Sequence, residues 1–294
     1  MARLRPAESP GESPAGSPGE SPGESPAESP AESPGAEPGL AQRLCAEFLG
    51  TGLLVTVVVG SGIAAQRLSP DDIGLQLLEN SIATALGLTV LILAFGPVSG
   101  AHFNPVVSAA DWLLGRLGRG GGTAASGLSG PDVAAYIVVQ ILGAIAGAEL
   151  ANVMYQVPLG QLSSNERTGV HLLVGEVTAT AGLLLLIFAL VRTGRGALAA
   201  PAVGAYIGAA YWFTSSTSFA NPAVTIGRVF SDTFAGIAAS SVPAFIAAQV
   251  VGGAAAVALA RWLYPGLGAP GDTALDHVVV PYGRSDSTPN RRTP

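Results

Sequence analysis

Two Asn-Pro pairs, at Asn104-Pro105 and Asn221-Pro222, are the residues whose types and spacing are best suited to chemistry. Asn is a favoured helix cap, and Pro is favoured at the first helical position. Each pair therefore predicts a helix that begins abruptly, the first running to about 117 and the second to about 230. The free end of such a helix carries unpaired N–H groups and about half a positive charge. Together with the Asn carboxamides, it can donate hydrogen bonds to a neutral solute.

The elements around these pairs are apolar runs long enough to cross a bilayer, which takes about 20 residues per helix. The composition agrees, because 49% of the residues are hydrophobic and only 12% are charged. Lipid cannot satisfy open backbone groups, so each run must be helical. The two helices that begin at Asn-Pro are too short to span. Six spanning helices are predicted, at about 41–65, 75–96, 132–155, 170–192, 199–217 and 238–263.

Two polar tails flank the apolar part of the chain. Residues 1–39 repeat Glu-Ser-Pro and predict a disordered tail, and 266–294 predict a second one. The seven Glu and two Arg of the first tail account for most of the formal net charge of -6, so the remainder is nearly neutral and offers no nucleic-acid surface. Residues 40–265 are predicted to form one membrane domain with halves at about 41–155 and 168–263.

The two halves repeat the same pattern of residues. Glu47 in the first predicted helix has a counterpart in Glu176 of the fourth, and Gln140 in the third has a counterpart in Gln249 of the sixth. Three spanning helices per half is an odd number, so the second half must be inverted in the membrane. The two short helices then enter from opposite sides and their N-termini meet near the midplane. Two such ends at one narrow pore oppose cations, including protons.

This pattern resembles the major intrinsic protein family, the aquaporins and aquaglyceroporins, over about residues 41 to 264. The resemblance implies an all-α membrane protein with six transmembrane helices and two half-helices in an inverted repeat. It also implies passive conduction and a homotetramer in membrane lipid, with one pore per protomer. It rests on Ala46-Glu47-Phe48-Leu49-Gly50-Thr51, Ser99-Gly100-Ala101-His102-Phe103-Asn104-Pro105-Val106, Tyr136 with Gln140 and Gly143, and Phe219-Ala220-Asn221-Pro222-Ala223-Val224.

Two residues depart from the usual family pattern. Val106 completes the first box, where the family usually has Ala, and its bulk is expected to shift the half-helix contact slightly. Val224 follows the second box, Asn221-Pro222-Ala223, where the family usually has the Arg of the selectivity filter. Arg228 lies one helical turn later. It either guards the outer mouth or is an outer-loop Arg paired with Asp232 or solvent.

The resemblance also implies a set of filter positions. Alignment assigns them to Leu86, Ala209, Ser218 and Val224, which are small and largely apolar. Such a filter is expected to be wide. It resembles the filters of glycerol-conducting members and of bacterial members linked to arsenic handling. We therefore expect a channel for water and small neutral solutes that admits glycerol-like polyols or arsenous acid.

Three further polar residues have alternative roles. The family pattern suggests that Glu47 and Glu176 accept hydrogen bonds from the half-helix loops, whereas an intramembrane carboxylate can also serve as a proton relay. His102 precedes the first box and is placed in the inner vestibule. It either gates the pore with pH or holds a fixed hydrogen bond.

Other functions are weighed against the channel. An ion-coupled secondary transporter can share the inverted repeat and broken helices, and a non-conducting structural membrane protein is a second rival. The sequence shows no Ser-His-Asp order, phosphate-binding Gly loop or metal-ligand cluster, so no enzyme activity, cofactor or metal is expected. The Arg bias of the connections predicts a multi-pass protein of the cell membrane with both termini cytoplasmic.

Overall fold

The computed structural model describes residues 38–117 and 128–264, which form an all-helical bundle, and the predicted fold class is confirmed. Within these two described ranges, six helices are long and apolar enough to cross a membrane. The helices are α1 (Leu40–Leu68), α2 (Ile73–Ser99), α3 (Pro105–Leu117), α4 (Gly130–Met154), α5 (Val170–Arg192), α6 (Ala199–Phe213), α7 (Pro222–Gly227) and α8 (Val242–Leu263). Short 3₁₀ turns at Gly196–Leu198, Arg228–Phe230 and Ala239–Ser241 adjoin α6, α7 and α8.

Two of the differences between the observed and the predicted helix bounds have a clear local cause. Helix α6 ends four residues early, because Thr214 adopts an extended conformation and its hydroxyl donates back to the Ala210 carbonyl at 2.7 Å. Helix α2 continues through Pro97 to Ser99 and is capped by Gly100, which has a φ of 84° that favours glycine. The predicted tails lie outside the described residues, apart from residues 38 and 39.

Close contacts between helix backbones hold the spanning helices of the bundle together. Helix α1 packs against α2 and α4, α5 packs against α6 and α8, and α2 packs against α6. At the α1–α4 contact, a Cβ added to Gly143 or Gly147 would overlap the carbonyl oxygen of Phe48 or Gly52. Small residues allow this approach in membrane helices. The short helices α3 and α7 both pack against α4 and α8, so the spanning helices hold them in place.

The extra bulk of Val106 at the start of α3 is accommodated by a glycine on the opposing helix. A Cβ added to Gly253 in α8 would overlap Cγ1 of Val106. Val106 is buried, so the space that Gly253 leaves open is filled by the valine side chain. The pair acts as a matched large and small residue at the contact between α3 and α8.

We therefore expect Gly253→Ala to lower the melting temperature of the detergent-solubilised protein, measured by circular dichroism. Overpacking costs about 1–3 kcal/mol, which outweighs the roughly 1 kcal/mol that Ala gains over Gly in a helix. Adding Val106→Ala should recover most of the loss. Gly130→Ala is the control, because its added Cβ lies 3.7 Å from the nearest atom, in Trp112. Additive effects of the two substitutions would contradict the pairing.

Candidate pore and filter

The two Asn-Pro boxes brace each other across the centre of the bundle. Each Asn side-chain oxygen accepts the N–H two residues later, at 3.0 Å for Asn104 and 2.9 Å for Asn221, and so caps its own helix. The Asn104 amide nitrogen donates to the Ala220 carbonyl at 2.8 Å, and the Asn221 amide nitrogen donates to the Phe103 carbonyl at 2.7 Å. An amide group carries two donor hydrogens. The second hydrogen of each Asn is available to a solute.

The loop before each box has a strained backbone. Ala101 and Phe103 have φ of 49° and 50°, and Ser218 and Ala220 have φ of 52° and 50°. These are left-handed conformations at non-glycine residues, which cost about 1–3 kcal/mol each and persist only where surrounding contacts hold them. The two loops share this geometry at equivalent positions, so the inverted repeat extends to backbone conformation.

Glu47 holds the first loop in this conformation. Its two carboxylate oxygens accept the backbone N–H groups of His102 at 2.9 Å and Phe103 at 2.7 Å. Oε2 also accepts the side-chain amide of Gln140 at 2.7 Å, and Glu47 is fully buried. The carboxylate therefore satisfies backbone donors of the loop that lie outside any helix.

Glu176 performs the same task in the second half. It accepts the backbone N–H groups of Phe219 and Ala220, both at 2.8 Å, and the Gln249 side-chain amide at 2.7 Å. It is also fully buried. Both carboxylates thus have the hydrogen-bond environment of a structural role, with their oxygens bonded to the loops.

Glu176→Gln should destabilise the protein and reduce the flux of every solute together. A carboxamide offers one acceptor oxygen, so an N–H of the loop would face an NH₂ group, and a buried unsatisfied donor costs about 1–3 kcal/mol. Thermal melting and stopped-flow flux in proteoliposomes measure the two effects. Glu166→Gln is the control, because Glu166 is exposed. A variant that loses only gradient-driven uptake would instead indicate a proton relay.

A cavity runs beside the two boxes. It is lined by six of the residues that the sequence analysis singled out: His102, Asn104, Ser218, Asn221, Val224 and Arg228. His102 is held by a 3.0 Å hydrogen bond between its Nδ1 and the Ser108 hydroxyl. Pro105, Val106, Pro222 and Ala223 are buried at the helix starts beside it. The apolar part of its lining includes Leu54, Val58, Leu88, Ile92, Val107, Leu183, Ile187 and Ile207.

Two predicted filter positions are wrong. Leu86 is 65% exposed on the outside of α2, and Ala209 is exposed on α6. Thr84 and Tyr211 line the cavity instead. Each lies two residues from the predicted position, and two residues on a helix correspond to a rotation of about 200°. Leu86 and Ala209 therefore lie on the faces of their helices that are turned away from the cavity.

Thr84 and Tyr211 form a polar wall that the sequence analysis missed. Their hydroxyl oxygens lie 3.1 Å apart in a buried hydrogen bond between α2 and α6. Each hydroxyl has one donor hydrogen and two acceptor lone pairs, so the pair retains further capacity for a solute. A buried Thr and Tyr at cavity-facing positions of helices could have been found by helical periodicity.

Arg228 also faces the cavity, and it is not paired with Asp232. Asp232 accepts from the Ser164 backbone N–H at 2.8 Å, while Arg228 is only 3% exposed and its Nε donates to the Ala235 carbonyl. The guanidinium carbon lies 3.6 Å from the centroid of the Phe219 ring. Arg167, in the loop before α5, lies 5.0 Å from the same ring, and burial lowers the pKa of Arg167. The two cations thus share one aromatic ring.

Comparisons with known proteins agree with this architecture. The family model described as Major intrinsic protein matches residues 36–219. The chain belongs to this family. It is 48% identical to Aquaglyceroporin AqpS of Rhizobium meliloti over 76% of this chain and 91% of the relative, and 33% identical to Aquaporin Z of Brucella melitensis over 67% of this chain and 87% of the relative.

A solved structure gives the same fold. The aquaglyceroporin from Plasmodium falciparum superposes with a TM-score of 0.55 at 20% identity, covering 78% of this chain and 98% of that chain. As a member of the major intrinsic protein family with six apolar spans, the chain is a multi-pass membrane protein and a passive channel for water and small solutes.

Proposed function

We propose that this channel admits small neutral polyols such as glycerol and neutral metalloid hydroxides such as arsenous acid, together with water. The observation that carries the proposal is the mixed wall of the cavity, where the Thr84–Tyr211 hydroxyl pair stands among apolar side chains and Val224 follows the second box. The 48% identity to an aquaglyceroporin supports it.

A mixed wall suits such solutes for a simple reason. Glycerol and arsenous acid lose water hydrogen bonds when they enter a narrow cavity, and an unreplaced hydrogen bond is costly. The Thr84–Tyr211 pair and the Asn amide hydrogens can replace these bonds, while the apolar side chains contact the remaining surface. The charged form of a solute gains no such compensation along the apolar lining.

The charges that face the cavity disfavour the entry of cations. Among the described residues that line the cavity, Arg228 is the only one that is charged throughout the physiological pH range. The short helices α3 and α7 present their N-terminal ends at the boxes, and each end carries partial positive charge. Passive conduction of neutral solutes follows from this distribution.

Stopped-flow light scattering on proteoliposomes tests the proposal directly. We expect glycerol and arsenous acid to enter faster than in protein-free liposomes at pH 7, and the rate should not change when ion gradients are collapsed. Swelling that responds to water alone would contradict the proposal. A rate that requires a proton or sodium gradient would instead favour coupled transport.

Val224→Arg should reduce glycerol flux several-fold and affect water flux less. The substitution places a long cationic side chain directly after the second box, where Val224 now lines the cavity. Val224→Met is the matched control, because it adds length without charge. Equal effects of Arg and Met would assign the discrimination to size alone, and unchanged glycerol flux in both variants would show that position 224 is not part of the filter.

The assembly and orientation belong to the same proposal. We infer a homotetramer in the lipid of the cell membrane with one pore per protomer and both termini cytoplasmic. Arg43 at the start of α1, Arg192 at the end of α5 and Arg261 at the end of α8 then lie on the cytoplasmic side, as the positive-inside rule favours.

A further inference from the structure

The position of Arg228 depends on the chain segment that follows α7. Arg228 begins the 3₁₀ turn Arg228–Phe230, and its Nε donates to the carbonyl of Ala235 in the loop that comes next. Its guanidinium also rests on the Phe219 ring. A shift of the segment 228–235 would therefore move the cation relative to the cavity.

Asn152 in α4 fixes this segment with both ends of its carboxamide. Its Nδ2 donates to the Phe230 carbonyl at 2.7 Å, and its Oδ1 accepts the Ser231 hydroxyl at 2.8 Å. The Ser231 hydroxyl lies 3.1 Å from that of Thr233, which extends the contact along the loop. Asn152 is fully buried and does not line the cavity. A planar amide thus ties the residues two and three positions after Arg228 to a spanning helix.

We propose that Asn152 is a positioning residue that sets solute discrimination by holding Arg228 in place. This inference rests on the proposed function. The amide supplies one donor and one acceptor in a fixed geometry, which an apolar side chain of similar size cannot do. Without it, the Phe230 carbonyl and the Ser231 hydroxyl lose their partners in α4, and the segment that carries the guanidinium can shift away from the filter.

The test is a double-mutant cycle on solute selectivity. The full-length variants Asn152→Leu, Arg228→Leu and the double variant are reconstituted, and glycerol and water permeability are measured for each. We expect Asn152→Leu to change the glycerol-to-water ratio by about threefold or more, in the same direction as Arg228→Leu. In the Arg228→Leu background, Asn152→Leu should leave the ratio unchanged, because the positioned cation is already absent.

Asn80→Leu is the matched control. Asn80 is a buried Asn in α2 that donates to the Val58 carbonyl at 2.9 Å and to the Ser61 hydroxyl at 2.8 Å, and so bonds α1 and not the Arg228 segment. It should lower stability without changing the ratio. If Asn152→Leu fails to fold, Ser231→Ala removes the bond to Oδ1 from the loop side and should change the ratio in the same direction.

Several outcomes would overturn the inference. These are an unchanged ratio in the Asn152→Leu and Ser231→Ala variants, additive effects of the Asn152 and Arg228 substitutions, or an unchanged ratio in Arg228→Leu itself. Wild-type glycerol flux above that of protein-free liposomes is measured first and tests the proposed function separately. A failure there is distinguishable from a failure of the positioning role.

Discussion

Backbone N–H groups in the middle of a bilayer must find acceptors within the protein, because lipid supplies none. This constraint governs the loops that lead into α3 and α7. Their N–H groups are satisfied by Glu47 and Glu176, each a buried carboxylate on a spanning helix. Burying a carboxylate costs free energy unless its oxygens are hydrogen-bonded. The loop N–H groups supply these hydrogen bonds, and the carboxylate in turn supplies the acceptors that the loop needs. The half-helices can begin at the centre of the bundle only because these hydrogen bonds between loop and carboxylate form in both halves.

The remaining features of the pore follow from where these half-helices begin. The left-handed residues before each box direct the Phe103 and Ala220 carbonyls toward the opposite Asn. The two boxes therefore depend on each other, and a displacement in one half is transmitted to the other through a hydrogen bond. The carboxylate oxygens are already hydrogen-bonded to the loops. The groups that remain at the boxes for a solute are therefore the Asn amide hydrogens and the N-terminal ends of the two short helices. The partial positive charge of these two helix ends therefore lies at the centre of the bundle, where it disfavours cations.

The sequence predicted the parts of this structure that carry a local signature. Each of these parts can be recognised from a short stretch of sequence: the Asn-Pro helix starts, the paired Glu and Gln residues, and the six apolar runs. The internal repeat then shows which of them are equivalent. The filter was only partly predictable, because Leu86 was assigned by an alignment that needs a two-residue gap before Pro97 and Ala209 by its distance of twelve residues from Asn221. An error of two residues reverses the face of a helix, which is why Thr84 and Tyr211 were missed. The fit of Val106 to Gly253 could not be predicted, since the two residues meet only after α3 packs against α8.

The proposed role of Arg228 in selectivity depends on a different part of the fold from the two boxes. A cation directly after the second box would take its position from the box, which the other half braces. Here that residue is Val224, and the cation lies one turn further along the chain. Its Nε is bonded within the segment that follows α7, and that segment is tied to α4 through Asn152. In the proposed arrangement, selectivity therefore depends on the contacts of Arg228 and Asn152, which are separate from those of the two carboxylates and the two boxes.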